Sequence, residues 1–456
     1  MTPIRTVHLG AHFPGVNNAT IWTDPQAGSQ IDIESFRHFA RTAEAGRFDF
    51  LFLAEGLRVR EHNGRIHDLD VVGRPDSLTV LAALAAVTDR LGLVATLNST
   101  FNEPVELARQ LATLDALSGG RAGWNLVTSS DAFTGENFRR GGFLDKADRY
   151  TRADEFLAVC REFWGGWDGP LPRRIEHQGP FFTVRGRPTV PPGMQGRPVV
   201  LQAGDSSEGR ELAASSADGI FAMHGTLRAG QEFYADVKGR LAKYGRNEDD
   251  LKILPGIGFA LGDTEDEAQE RYRYQRWAQI SPPTALQYIE AVWGRDLSDF
   301  DPDGPLPPAD LVVQDAPELA LGRAGTHRDN RGTAEQWIER SEATGWSIRE
   351  LVVELTTRHA LVGTPATVAE QIHTFVQERG GDGYILVPSV TPGGLDEFVD
   401  TVIPLLVERG SYPAEYVGTT LRDHLELPIP TVPIPPATDP ARSAAVDRAA
   451  VVRSLG

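Results

Sequence analysis

The feature that most constrains the fold of this chain is a regular alternation of two kinds of apolar segment. Short runs with little polar alternation, typified by 48–54 ("FDFLFLA") and 91–97 ("LGLVATL"), recur at 6–12, 121–127, 199–203, 218–224, 251–261 and 383–387. Between them, apolar residues return every three or four positions at 33–45, 77–89, 104–117, 149–164, 209–217, 228–243, 264–277, 365–379 and 395–409. A strand apolar on both faces is covered on both faces, and the helix after each strand supplies the cover, so the pattern predicts a parallel sheet wrapped by helices. About eight such units predict an α/β fold of the closed (β/α)8 TIM-barrel kind, not an open sheet.

Two stretches interrupt the count. Residues 166–197 are rich in Gly, Pro and Arg and read as a loop or small hairpin; residues 278–345, containing "DFDPDGPLPPADL", read as a helical or irregular insertion over one barrel face. Insertions of that length in compact domains are lids or binding loops. The expected organisation is one barrel over 1–427 and a Pro-rich extension at 428–456, where "LPIPTVPIPPATDP" is too proline-rich for a helix or central strand and reads as an extended C-terminal arm.

Charge excludes some partners. With 45 Lys+Arg against 63 Asp+Glu, a net charge of -18, neither nucleic acid nor an anionic membrane suits this surface. An anionic ligand therefore needs a local pocket of N–H and Arg groups. The one cysteine, Cys160, rules out an intramolecular disulfide and a multi-cysteine metal site. In "ADEFLAVCREFW" it occupies an apolar helical position and reads as packing. "MTPIRTVHLGAHF" has no signal-peptide pattern and no apolar run approaches the roughly 18 residues of a membrane span, so a cytoplasmic enzyme is expected.

In a barrel, ligands meet the C-terminal ends of the strands and the loops after them. Those ends carry His12, Glu55, Asn98 to Thr100, Thr128 to Ser130, Gly204 to Ser207 and His224. They are mostly uncharged hydrogen-bonding groups. There is no acid/base pair, no metal-ligand spacing (no metal is expected) and no Gly-x-Ser-x-Gly elbow. Such a rim suits a large polar heteroaromatic cofactor that brings its own chemistry. The stretch "LQAGDSSEGRELAA" (201–214) adds a strand, a small-residue turn and a helix N-terminus, whose unpaired N–H groups and dipole attract an anion. The same residues also read as a plain N-cap. Asn98, Ser99 and Thr100 equally read as caps of the next helix, Glu55 as a salt-bridged loop acid, and His62 and His67 as exposed.

Several stretches occur together in one order: "GRFDFLFLAE", "LGLVATLNSTFNEPVELARQLATLDALSGGRAGWNLVTS", "DRYTRADEF", "LQAGDSSEGRELAA" and "EYVGTTLRDHL". In these the chain resembles the bacterial-luciferase-like flavin monooxygenases, in particular the nitrilotriacetate, dibenzothiophene sulfone and long-chain alkane monooxygenase subgroup. The resemblance implies a barrel that binds reduced FMN delivered by a separate NAD(P)H:flavin reductase. It also implies reaction with O2 through a flavin C4a-(hydro)peroxide, insertion of one oxygen atom into a small organic substrate, and a homodimer or homotetramer.

Carried over by position, the resemblance assigns flavin contacts to Glu55, where the family usually has Asp, and to Asn98, where it commonly has Ser or Thr. It adds Thr128 with Ser129, Lys146 where the family has His, Tyr150 four residues on, and Ser206 with Ser207 around the phosphate. A lysine can pair with a phosphate as a point charge but cannot act as neutral imidazole. Alkane-oxidising relatives carry a His in the loop after the first strand, where this chain reads "PGVNNATIW". The basic loop "LRVREHNGRIHD" after Glu55 is also distinctive and could bring positive charge to an anionic substrate or to the flavin. The catalytic candidates are His12 and, after it, His224. Phe13, Trp22, Phe52 and the insertion are expected to keep water out. Rival readings are an F420- or flavin-dependent hydride-transferring oxidoreductase, a non-catalytic FMN-binding protein and a sugar-phosphate barrel enzyme.

Overall fold

The computed structural model describes residues 3–15, 19–21, 23–57, 75–128, 138, 148–313 and 329–430. Its centre is a closed ring of parallel strands: β1 (His8–Phe13), β2 (Phe50–Leu53), β3 (Gly92–Asn98), β4 (Ala122–Val127), β5 (Val199–Ala203), β6 (Gly219–Ala222), β7 (Lys252–Leu261) and β8 (Gly383–Leu386). Each pairs in parallel with the next, and β8 returns to β1 with His8 opposite Gly383 and Ala11 opposite Leu386. The expected (β/α)8 barrel is the observed one.

Alternation along each strand explains why the runs read as continuously apolar. In β2, Phe50 and Phe52 point into the barrel with Val94, Leu201 and Ile385, whereas Leu51 and Leu53 point out to the helices. The interior is filled by setting large side chains against glycines. A Cβ at Gly10 would lie 2.6 Å from the Phe50 ring, and one at Gly256 would lie 2.6 Å from Phe221. The covering helices are α1 (Ile33–Ala45), α2 (Ser77–Ala85), α3 (Pro104–Ser118), α4 (Asp148–Gly165), α5 (Ser207–Ser216), α6 (Leu227–Leu241) and α7 (Glu265–Ala278). Side chains of Asp32, Asp76, Thr226 and Thr264 accept first-turn N–H groups, so α1, α2, α6 and α7 start from capped turns near the C-terminal strand ends. Cys160 is buried in α4 with its Sγ 3.4 Å from the Pro104 carbonyl, as a packing residue.

The N-terminal end of the barrel is plugged by the chain's own C-terminal region. Leu421, Leu425 and Leu427 join the interior cluster of Phe50, Val94 and Leu254. Arg422, fully buried, pairs with Asp218 at 2.9 Å, and Arg197 reaches the same carboxylate at 3.3 Å. The motif "GTTLRDHL" thus closes one end of the barrel and leaves the other for a ligand.

Residues 166–197 fold as two short hairpins, Trp167–Asp168 with Leu171–Pro172 and Ile175–Gln178 with Thr183–Gly186. The stretch 278–345 contributes α8 (Pro282–Trp293) and α9 (Asn330–Thr344). With α10 (Ile348–Thr356) these helices make a small core of their own around Ile289, Trp293, Ala334, Ile348 and Val352. A strand absent from the sequence reading, Ala360–Gly363, pairs outside the ring with the far half of β7, Gly258 to Leu261. It is followed by α11 (Pro365–Gln377). The extended arm expected at 428–456 falls, from residue 431 on, outside the described residues. Among the described residues no helix is long and apolar enough to cross a membrane.

Candidate active site

A cavity of about 450 Å3 opens at the C-terminal end of the barrel. Its inner wall comes from strand ends: His12, Phe52, Glu55, Thr96, Asn125 and Phe221. Its outer wall comes from α7 and the residues after α10: Tyr272, Arg276, Arg358 and His359. The loop after β1 crosses the mouth. Gln279 Nε2 donates to Ala19 O at 2.8 Å, Tyr274 Oη to Asp24 Oδ2 at 3.3 Å, and Ile21 N to Ser389 O at 2.7 Å.

Glu55, directly after β2, accepts two hydrogen bonds from Asn98, one from Nδ2 at 2.8 Å and one from the backbone N–H at 3.3 Å. Burial pushes its carboxyl up to about 7, against the opposing pull of those two bonds. Asn98 itself is fully buried. Its Oδ1 accepts from Phe101 N at 2.7 Å and its carbonyl from Asn102 Nδ2 at 2.8 Å, so its side chain positions Glu55 and closes a turn.

Two polar residues on the cavity wall escaped the sequence reading. Asn125 Nδ2 donates to Thr96 Oγ1 at 3.1 Å across β3 and β4. Asn125 is 2% exposed, and its Oδ1 is buried without a hydrogen-bond partner among the described residues. An unsatisfied buried acceptor facing a cavity is a position for a ligand donor. The signal was there to read: Thr96 and Asn125 are polar residues at inward positions of otherwise apolar strands.

The cavity reaches Ala203, the last residue of β5 and the one before the serine turn. Ser206 is the N-cap of α5: its Oγ accepts from Gly209 N at 3.1 Å and lies 3.2 Å from Tyr150 Oη of α4. A Cβ at Gly204 would lie 2.9 Å from Gln202 Nε2, and one at Gly209 would lie 3.1 Å from Gly204 O, so the turn is close-packed at both glycines. Ser207, exposed, is the first residue of α5. The turn is therefore both an N-cap and a glycine-flanked helix N-terminus. Thr128 follows β4 and is half-buried, while Ser129 and Lys146 lie outside the described residues, as do Trp22, His62 and His67.

The histidines separate. His12 lines the cavity with its ring edge-on to Phe52, the centroids 4.7 Å apart. His224, expected as the second catalytic candidate, does not line it. Strand alternation directs Phe221 and Met223 to the cavity and turns His224 outward, where its ring lies 4.8 Å from Phe233 and 6.4 Å from Phe375. Burial there holds its imidazole below the usual histidine range. Phe13 likewise packs outward on Phe36 and Phe39 and is not a cavity wall, whereas Phe52 is one.

A parallel barrel plugged at one end, with an aromatic and amide-lined cavity and a glycine–serine helix start at the other, has the architecture of a barrel enzyme whose ligand site lies at the C-terminal strand ends. The luciferase-like monooxygenase family model matches residues 14–383, and the chain belongs to that family. It is 36% identical over 445 residues to N-acetyl-S-(2-succino)cysteine monooxygenase of Bacillus subtilis, covering 93% of this chain and 98% of that one. It is 38% identical over 451 residues to nitrilotriacetate monooxygenase component A of Aminobacter aminovorans, covering 92% and 95%. A solved riboflavin lyase, with modified FMN and riboflavin bound, superposes with a TM-score of 0.73 at 27% identity, covering 92% and 96%. The chain is a flavin-dependent monooxygenase, an oxygen-inserting enzyme.

Proposed function

We propose that this chain is the oxygenase half of a two-component system. It takes reduced FMN from a separate NAD(P)H:flavin reductase and inserts one oxygen atom of O2 into a small organic substrate. The observation that carries this reading is that the cavity reaches Ala203, three residues before the Ser206 N-cap of α5. A flavin ring in the first would place a 5′-phosphate at the second. The relative named as a component A supports a separate reductase, and the FMN-bound neighbour supports FMN. A reductase of this kind works where NAD(P)H is made, so the enzyme is read as cytoplasmic.

In this reading the first-turn N–H groups of α5, the Ser206 and Ser207 hydroxyls and Tyr150 Oη hold the phosphate, with Thr128, Ser129 and Lys146 as further contacts. Asn125 Oδ1 accepts from a donor on the bound ring. When bound, reduced FMN supplies the two electrons that let dioxygen give one oxygen atom to the substrate and leave the other as water. Phe52, Phe221 and Ile257 wall the cavity with apolar surface and exclude water. Glu55, with its carboxyl at about 7, can hold or release a proton at the wall near neutral pH. His12, on the same inner wall, is also placed to move a proton.

Anaerobic titration tests the cofactor: reduced FMN should bind at least tenfold more tightly than reduced riboflavin, since tenfold is only about 1.4 kcal/mol and the phosphate gains several charge-assisted bonds. Equal affinities would refute the phosphate assignment. Product formation that continues without O2 would place the enzyme among the hydride-transferring members of the superfamily.

A further inference from the structure

We propose that the substrate is a small organic acid, its carboxylate held at the outer cavity wall by Arg358 with Arg276 beside it and its oxidised atom in the apolar interior. This rests on the monooxygenase reading above and adds the substrate class. The chain as a whole is acidic, 63 Asp+Glu against 45 Lys+Arg. The outer wall of its cavity reverses that sign, with Arg276 and Arg358 together. A long-range field from a protein of net charge -18 repels anions, so an anionic substrate needs such a local reversal.

The two arginines are held differently. The Arg358 guanidinium makes no hydrogen bond or ion pair among the described residues, although its backbone is fixed: Tyr272 Oη donates to Arg358 O at 2.8 Å, and Ala360 is paired to Gly258 of β7. A Cβ at Gly225 would overlap the His359 side chain, so glycine there lets the 357–359 segment sit close against the rim. Arg276, 20% exposed, pairs through Nη2 with Glu354, while its Nε is buried and has no hydrogen-bond partner among the described residues. Arg358 is thus the uncompensated charge and Arg276 a partly neutralised donor.

The two threonine hydroxyls of this wall cannot substitute. Thr356 and Thr357 donate their hydroxyl protons to Val352 O and Val353 O, both at 2.7 Å, and have no proton left for a carboxylate. A guanidinium presents two parallel N–H groups that match a carboxylate, and this explains arginine at the position. The same cavity is lined by Phe52, Phe221 and Ile257, which favour an apolar or uncharged portion of the same molecule.

The test is calorimetric titration of the full chain, with and without FMN, using nitrilotriacetate, succinate and benzoate, and the methyl esters of each as uncharged counterparts. At least one acid should bind saturably and at least tenfold more tightly than its ester. Arg358→Gln should weaken that binding at least tenfold, Arg358→Lys should restore part of it, and FMN affinity should stay as in the parent chain, which also shows that the variant is folded. No saturable binding by any acid, equal binding of acid and ester, or unchanged binding in Arg358→Gln overturns the proposal. A chain that binds acids in this way but not reduced FMN would sink the cofactor reading and leave the anion site standing.

Discussion

Asn98 grips both carboxylate oxygens of Glu55, through Nδ2 at 2.8 Å and through its backbone N–H at 3.3 Å. Even so, burial raises the Glu55 carboxyl from 4.5 to about 7. Between those two values the folded chain binds more protons than the unfolded one, so this group's contribution to stability is full below about 4.5 and is lost as pH rises through about 7. Glu55→Gln should therefore gain stability relative to the parent as pH rises, by on the order of 3 kcal/mol from a shift of this size. Urea unfolding of both proteins at about pH 4 and about pH 8 checks this; a stability difference independent of pH would show that Glu55 is not buried in this way.

The Tyr150–Ser206 pair allows the phosphate to be separated from the helix cap. Ser206→Ala should cost about 1 kcal/mol of stability through loss of the cap, and it should also weaken FMN binding. Tyr150→Phe leaves the Ser206–Gly209 bond in place and should cost only FMN affinity, about 1.5 to 3 kcal/mol for a hydrogen bond to a charged group. Riboflavin affinity should not change in Tyr150→Phe. If FMN and riboflavin weaken equally, Tyr150 touches the ring or the ribityl chain instead.

His12 and His224 should part company in kinetics. His12→Asn removes a cavity-wall group that can move protons and should slow turnover about a hundredfold, at the low end for general acid–base catalysis. His224→Leu replaces a ring packed on Phe233 and Phe375 and should leave kcat within about twofold, as expected for a side chain that touches no reacting atom. Oxygen uptake with reductase-supplied reduced FMN measures both. A large kcat loss in His224→Leu would contradict its outward placement.

The barrel plug depends on the Arg422–Asp218 pair. Arg422 and the other cations around Asp218 hold its carboxyl far below the usual range despite full burial. Arg422→Ala should destabilise the chain by about 3 to 5 kcal/mol, because it leaves a buried carboxylate short of its main partner. Asp218→Asn combined with Arg422→Met should recover much of that loss. Thermal unfolding of the single and double variants decides; additive losses would mean the two residues do not act as a pair.

Much of this protein is legible along the chain because the relevant forces are local. The strands and helices follow from apolar spacing, and the close-packed turn at Gly204 to Gly209 from its small residues. Glu55 and Tyr150 could be marked by their order relative to strands and by likeness to a family. Ala360–Gly363 was missed because, unlike Phe50–Leu53, it stands in no longer apolar run, with Arg358 and His359 directly before it; it is a strand only through its pairing with β7.

By itself, then, the sequence determined that strands and helices alternate about eight times, that the ends of those strands are polar and that a small-residue turn and a helix start follow β5. Only the tertiary structure decided which face of each strand looks inward, and with it the fates of His12 and His224. It also decided that Arg276 and Arg358, more than two hundred residues beyond Glu55, stand in the same cavity wall. The physical reason is closure. Local spacing tells a residue its nearest neighbours, but a ring of parallel strands joins positions with no local relation, and strand phase is set by packing of the barrel interior against Phe50, Phe221 and the C-terminal plug.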